Sequence, residues 1–241
     1  MKNIVIIGAS GHGSAIFDCI VKEDEYNVVG FIDSFKKKDT VFCGLRILGT
    51  EYDLPYLKDK YNLYGGIVAI GDNWNRHQMV RNITKVSPEF HFVSTIHPSV
   101  IIGRNVKIGK GVAIMAGVIV NTNSTIEDQC ILNTYSSLDH DGLMQEYSSL
   151  GPRACTGGNV NLGVFSAIGL GSSVIENISI GPYSVIGAGS LVLKDVGSYM
   201  VCYGSPAKKI RKRKANEPYL SLQRPLISSK PKALVSDYEY R

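Results

Sequence analysis

Several things are scarce in this sequence. Its five cysteines, Cys19, Cys43, Cys130, Cys155 and Cys202, are odd in number, far apart and never spaced C-x-x-C, so neither a disulfide framework nor a zinc site is indicated. No cluster of His, Cys, Asp and Glu has ligand spacing, and no metal is expected. No apolar run approaches the roughly 18 residues of a spanning helix. Met1 to Gly13 holds no basic stretch ahead of a cleavage site, so a cytoplasmic protein without a transmembrane segment is expected. Charge of one sign is also scarce over most of the chain. The formal balance is +5, but residues 205–241 hold ten basic and three acidic side chains, while the rest carries 16 basic and 18 acidic ones. A slightly acidic body does not track nucleic acid.

What is present is a composition of 44% hydrophobic and 20% charged residues over 241 positions, enough for one large or two small folded domains. The dominant pattern has a period of six. From Val100 to Ser190, stepping by six, every residue is small or aliphatic, and two residues after each comes a second series from Ile102 to Val192 in which only Thr156 is neither aliphatic nor Met. Alternation at i and i+2 places both series on one face of a short strand. Gly often follows, at Gly103, Gly109, Gly151, Gly157, Gly163, Gly169, Gly181 and Gly187, where it is expected to supply positive φ at a corner. Three hexads then close a triangular coil, and the run makes about five coils of a parallel β-helix.

Before the repeat, β and α signals alternate. A buried strand at Lys2 to Ile7 enters Gly8-Ala9-Ser10-Gly11-His12-Gly13 and a helix from Ser14 to Val21. A strand from Val28 to Ile32 ends at Asp33, and a looser stretch holds a short helix near Tyr52 to Lys60. A strand from Ile67 to Ile70 ends at Gly71-Asp72-Asn73, followed by a helix from Trp74 to Val86 and a strand near Phe90 to Val93. This is a small doubly wound sheet, whose ligands bind outside the carboxyl ends of the strands. The Gly-rich turn, Asp33 and Gly71 to Asn73 all fall there, and backbone N–H groups at a helix start suit a phosphate-bearing ligand. The turn reads G-x-x-G-x-G, not the dinucleotide fingerprint G-x-G-x-x-G, which weakens a redox reading. A purely structural turn remains open from these residues alone.

Among five histidines, His77 and His91 read as structural or surface residues, His97 as part of the start of the β-helix and His12 as part of the Gly-rich turn. His140 interrupts the repeat at a corner, between Asp139 and Asp141, where its side chain must point out of the prism. An imidazole oriented by a carboxylate can act as a general base on an amine or hydroxyl. The residues alone also allow a solvated polar corner.

The repeat resembles that of the hexapeptide-repeat, left-handed β-helix proteins, whose acyltransferases are typically trimers with the cofactor between adjacent prisms. The whole chain to about Ile210 resembles the nucleotide-sugar acetyltransferases related to the sialic-acid O-acetyltransferases and to the N-acetyltransferase of bacillosamine synthesis. The resemblance rests on Gly8 to Gly13, Phe31-Ile32-Asp33, Ala69 to Asn73, Ile96-His97-Pro98, Asn133-Thr134, Leu138 to Asp141, Gly157 to Val160, Ile186 to Ser190 and the ending Gly204 to Lys208. It implies His140 as general base, supported by Asp141. It places the nucleotide sugar at Ser10, Gly11, His12, Asp33, Ser34 and Gly71, and acetyl-CoA near Ser149, Gly158, Leu170 and Ala188. Ser149 stands where many relatives carry a second histidine, and Gly142 replaces a more typical cysteine.

The expected organisation is therefore a Rossmann-like α/β domain over 1–95, a left-handed parallel β-helix over 96–204 and a basic C-terminal segment over 205–241. The resemblance implies an acetyl-CoA-dependent N-acetyltransferase, homotrimeric, acting on the amino group of a nucleotide-linked 4-amino-4,6-dideoxy sugar used in surface polysaccharide synthesis. O-acetylation of a sialic acid or another sugar hydroxyl is the alternative, and a non-catalytic trimeric scaffold or sugar-binding module is a third reading. No function is assigned to the residues beyond about Ala215.

Overall fold

A computed structural model describes residues 1–220 of the chain. Its first part is a six-stranded sheet built from β1 (Lys2–Ile7), β2 (Tyr26–Ile32), β3 (Val41–Phe42), β4 (Leu45–Gly49), β5 (Leu63–Val68) and β6 (His91–Phe92), with α1 (Gly11–Glu23), α2 (Leu54–Tyr61) and α3 (Asn73–Val86) between them. The strand order is β3-β4-β2-β1-β5-β6, and β2, β1, β5 and β6 pair in parallel. The chain thus builds outward from β1 first on one side and then on the other, so the switch point lies beside the carboxyl end of β1. Alternate residues of β1 serve two cores. Ile4 and Ile6 pack with Ile16, Ile20 and Phe31, whereas Val5 and Ile7 pack with Leu54, Leu57 and Ile83, which is why the last four residues of this strand are all apolar.

Two elements differ from the sequence expectation. The strand expected at Ile67 to Ile70 begins four residues earlier, at Leu63, and runs through Gly65-Gly66. Those glycines are needed for close approach, since a Cβ on Gly65 would stand 2.0 Å from the His91 carbonyl oxygen and one on Gly66 would stand 2.4 Å from that of Val5. The looser stretch contains a hairpin, Val41–Phe42 against Leu45–Gly49, turned by Cys43 (φ 50°) and Gly44 (φ 78°). Positive φ at both central residues gives the twist that a two-residue hairpin needs.

From Thr95 onward, two-residue strands recur every six residues and pair in parallel with the strand 18 residues later, as in Ala113 with Ile131 and Ile131 with Ser149. They form three faces. The first runs from Thr95–Ile96 through Ser149–Leu150 to Val185–Ile186 and ends in the hairpin of Met200–Gly204 and Ala207–Lys212; the second contains Ser137–Leu138, and the third Leu143–Met144. From Val112 onward the hydrophobic members of both inward series are buried, Val112, Val118, Ile114 and Val120 among them, whereas the first coil leaves Val100, Val106 and Ile108 partly buried and Ile102 exposed. At Ser124, Ser172 and Ser184 of the first series the hydroxyl ties one coil to the next. Ser124 Oγ donates to the Asp139 carbonyl (2.8 Å) and accepts from the Gly142 N–H (3.1 Å), and Ser172 does the same with Gly187 and Ser190.

The expectation that the recurrent glycines provide positive φ is overturned. Positive φ falls two residues further on, at Asn105, Asn159, Phe165 and Tyr183 and at the different glycines Gly111, Gly171 and Gly189, and at the equivalent positions of other coils it falls on Asn123, Asp141, Asn177, Tyr135 and Tyr147. The glycines before them are selected by crowding, since a Cβ on Gly103, Gly157 or Gly181 would lie 2.5–2.6 Å from a backbone nitrogen of the next coil. The aromatic residues at one corner stack as Tyr147, Phe165, Tyr183 and Tyr199, with ring centroids 4.8–5.0 Å apart.

The α/β part docks on the first face. Ala113, Met115 and Ile131 of that face share a core with Ile16, Ile20 and Phe31. Glu23, at the end of α1, accepts from Thr95 Oγ1 (2.6 Å) and the Ile96 N–H (3.2 Å). Arg76, on α3 and fully buried, uses all five N–H donors. They reach the carbonyls of Gln129 and Tyr147 on the prism, those of Ile70 and Gly71 behind β5, and Asn73 Oδ1, at 2.7–3.1 Å. No helix among the described residues is long and apolar enough to cross a membrane.

Candidate active site

His140 sits at the corner between the second and third faces, just after Ser137–Leu138. Its Nδ1 is 2.7 Å from Asp141 Oδ2, and its backbone N–H donates to Asp139 Oδ1 at 2.8 Å. Asp141 has left-handed backbone geometry, with φ 57°. The two carboxylates are held by the preceding coil, where Asn123 Nδ2 donates to Asp141 Oδ1 (3.2 Å) and Asn121 Nδ2 to Asp139 Oδ1 (2.5 Å). The following coil supplies Gly158, whose missing side chain leaves room for the ring: a Cβ there would lie 2.4 Å from both His140 Cε1 and Nε2. The Asp141 hydrogen bond raises the His140 pKa above its ordinary 6.5, and that bond together with the one from Asn123 lowers the pKa of Asp141. The His140 side chain is 58% exposed. With Nδ1 turned to Asp141, Nε2 is free to accept a proton.

The second group of predicted residues lies at the carboxyl ends of β1, β2 and β5. Ser10 stands at the N-cap position of α1 without a side-chain capping bond, and Gly11 begins the helix. The His12 side chain is half-buried, and its pKa is pushed down to about 4 by desolvation first and by the nearby Arg76 guanidinium second. Its Nε2 is buried with no hydrogen-bond partner among the described residues. Asp33 accepts from the N–H groups of Ala9 (2.8 Å), Phe35 (2.9 Å) and Lys36 (3.0 Å), fixing the turns after β1 and β2 against each other. Ser34 Oγ donates to Glu51 Oε2 at 2.6 Å. The Gly71 carbonyl accepts from Arg76 and from the Tyr219 hydroxyl.

The four residues expected near the cofactor do not form one cluster. Gly158 adjoins His140; Leu170 and Ala188 follow one another, one coil apart, at the corner between the first and second faces; Ser149 lies on the first face beneath the α/β part, bonded to the Tyr219 hydroxyl at 3.0 Å. Sequence reasoning missed Asn121 and Asn123, although their spacing of 18 from Asp139 and Asp141 places each pair at the same corner of successive coils. It also missed Arg76, whose burial no pattern on an otherwise polar helix announces, and Tyr219.

An exposed imidazole–carboxylate pair on the corner of a β-helix of hexads, joined to a doubly wound sheet, defines a hexapeptide-repeat acyltransferase. The family model of the PglD N-terminal domain matches residues 3–83. A histidine-to-asparagine variant of the perosamine N-acetyltransferase of Caulobacter crescentus, solved with CoA and GDP-perosamine, is 32% identical with a TM-score of 0.82, over 88% of this chain and 98% of that one. The acetyltransferase domain of PglB from Neisseria gonorrhoeae, solved with acetyl coenzyme A, is 29% identical with a TM-score of 0.80, over 87% and 99% of the two chains. The UDP-N-acetylbacillosamine N-acetyltransferase of Bacillus subtilis is 32% identical over 118 residues, 48% of this chain and 52% of that protein, so the match spans about half of that relative. The chain belongs to the nucleotide-sugar N-acetyltransferases of the left-handed β-helix class.

Proposed function

We propose that the protein transfers the acetyl group of acetyl-CoA to the amino group of a nucleotide-linked 4-amino-4,6-dideoxy sugar, for use in a surface polysaccharide. The observation that carries this reading is the His140–Asp141 pair, 2.7 Å apart, with its ring against Gly158. His140 Nε2 takes the proton of the attacking amine as the amide bond forms and the thioester C–S bond breaks, and the imidazolium returns that proton to the departing thiolate. Asp141 on Nδ1 fixes the tautomer and stabilises the imidazolium. The relative solved with both CoA and GDP-perosamine after replacement of one histidine fits a histidine that serves chemistry more than binding. The nucleotide sugar is assigned to the crevice of Ser10, Gly11, His12, Asp33, Ser34 and Gly71, where the unpartnered His12 Nε2 awaits a ligand group. Release of thiol with UDP-, dTDP- and GDP-linked 4-amino sugars tests the assignment, and acceptance of 4-hydroxy but not 4-amino sugars would overturn it.

The working unit is proposed to be a homotrimer. His140 and the sugar crevice lie on different sides of the prism, and the second face between the His140 corner and the Leu170–Ala188 corner exposes Ile101 and Ile119. Packing that face on a neighbour covers the apolar side chains and brings one chain's His140 corner toward another's Leu170 and Ala188. Sedimentation velocity at micromolar concentration checks this, and a monomer contradicts it.

The basic form of His140 is required, so the acid limb of the kcat/KM profile is expected above pH 6.5, where the Asp141 hydrogen bond has moved the imidazole. Asp141→Ala removes an anion that favours the imidazolium, so the limb shifts to lower pH even as turnover falls. An unmoved limb separates Asp141 from the titrating group.

A further inference from the structure

Beyond the hairpin of Met200–Gly204 and Ala207–Lys212, residues 213–220 return across the molecule as a strap. Its first anchor is Arg213, buried, whose guanidinium donates to the Tyr183 carbonyl (2.8 Å) and to the carbonyl of Glu217. Glu217 closes the turn by pairing with Arg211 (2.5 Å) and accepting from the Lys214 N–H (3.2 Å). The far end is Tyr219. Its N–H donates to Asp72 Oδ2 (3.4 Å), and its hydroxyl lies 3.1 Å from the Gly71 carbonyl, 3.1 Å from Asn73 Oδ1 and 3.0 Å from Ser149 Oγ. Leu220 follows, with Cδ1 3.2 Å from where a Cβ on Gly71 would stand.

The chemistry of these partners fixes what the phenol can do. Gly71 O and Asn73 Oδ1 are acceptors only, so the single hydroxyl proton goes to one of them and the Ser149 hydroxyl donates to the phenol oxygen. Burial raises the Tyr219 pKa and keeps the proton in place. Tyr219 therefore has no proton left for a substrate. What it supplies is shape: a held aromatic ring, with Leu220 beside it, standing over the carboxyl end of β5 next to the switch point at β1. The strap lies beyond the Gly204 to Lys208 ending on which the resemblance to the family rests.

We propose that Tyr219 and Leu220 form a wall of the nucleotide-sugar crevice and determine which sugar substituents fit beside Gly71. The inference rests on the assignment of that crevice to the nucleotide sugar. The residues act on binding and selectivity, leaving the chemical step to His140.

The test uses the full chain with Tyr219→Ala, Tyr219→Phe and Leu220→Ala, assayed with UDP-, dTDP- and GDP-linked 4-amino-4,6-dideoxy sugars that carry either a hydroxyl or an acetamido group at C2. Calorimetric binding of the same compounds runs alongside. Tyr219→Ala is expected to raise the acceptor KM about tenfold, with kcat and the acetyl-CoA KM within about twofold, and to flatten the preference between the two C2 groups. Tyr219→Phe keeps the ring, so the preference survives with a rise in KM of about threefold. Unchanged KM and preference in Tyr219→Ala, or a fall in kcat alone, overturns the proposal. If Tyr219→Ala fails to fold, Leu220→Ala decides, since an exposed side chain without hydrogen bonds must shift the preference at an unchanged Tm; an unchanged preference is again fatal. If the wild type binds these sugars without acetylating them, the assigned reaction fails while the binding constants still judge the wall. Binding of none of them overturns both.

Discussion

His140→Ala is expected to lower kcat by about 10²–10⁴-fold, the range spanned by a positioned general base, with the acceptor and acetyl-CoA KM values little changed. The size of the effect follows from the reaction. An amine attacking a thioester becomes an ammonium unless its proton leaves as the bond forms, and His140 Nε2 is the basic atom that the Asp141 contact leaves free. Folding gives no competing explanation for a loss. The side chain is 58% exposed, makes no core contact and sits at a corner whose backbone is held independently, by the Asn159 N–H on the His140 carbonyl at 2.8 Å. The Tm should therefore stay at the wild-type value. Thiol release at saturating concentrations of both substrates, with Tm recorded on the same preparation, checks both halves. Near-wild-type turnover would remove His140 from the chemistry, and a matching fall in Tm would make the loss structural.

The same corner shows why some of this molecule was legible in its sequence and some was not. A period of six survives in the sequence because each coil must fill the same small triangular interior, so Val112, Val118 and their successors record the fold directly. His140 was visible because it stands at a corner beside that unbroken record, a histidine flanked by Asp139 and Asp141 between the inward Leu138 and Gly142. The strand through Gly65-Gly66 was misplaced for the opposite reason: its residues are chosen by how closely the backbones of Val5 and His91 approach, which leaves no apolar pattern. Relations across coils are only half visible. The spacing of 18 between Asn123 and Asp141 can be counted, but it becomes meaningful once the coil length is known. Contacts such as Tyr219 with Gly71, 148 positions apart, depend on the path of the strap and have no local signature. The expected positive φ at the recurrent glycines failed because two constraints act near a corner: the left-handed position holds Asn, Asp, an aromatic or a different glycine such as Gly111 or Gly171, and where a glycine stands two positions earlier, as at Gly103 and Gly157, it answers to the next coil's backbone.

Gly158→Ala should show how much of the catalysis depends on where the imidazole stands. Gly158 does not have positive φ, so its backbone accepts an alanine, and replacing glycine at a compatible position usually stabilises a protein by about 0.4–1 kcal/mol. The added methyl nevertheless meets the His140 ring, with an ideal Cβ 2.4 Å from both Cε1 and Nε2. The ring is exposed and free to rotate, so it yields while the fold stays intact. Moving away, it gives up its 2.7 Å contact with Asp141 and the alignment of Nε2 with the incoming amine. A displacement of about 1 Å at a reacting group can lower turnover by about 100-fold, and a fall in kcat of about 10- to 100-fold is expected here with Tm at or slightly above wild type. The pH profile carries the diagnosis. Without the Asp141 hydrogen bond that raises the imidazole pKa, the acid limb should move down toward 6.5, as in Asp141→Ala. If Gly158 serves mainly as a backbone surface for acetyl-CoA, the same variant instead raises the acetyl-CoA KM with kcat and the acid limb unmoved. A variant normal in all three shows that the ring does not rest on Gly158 during turnover.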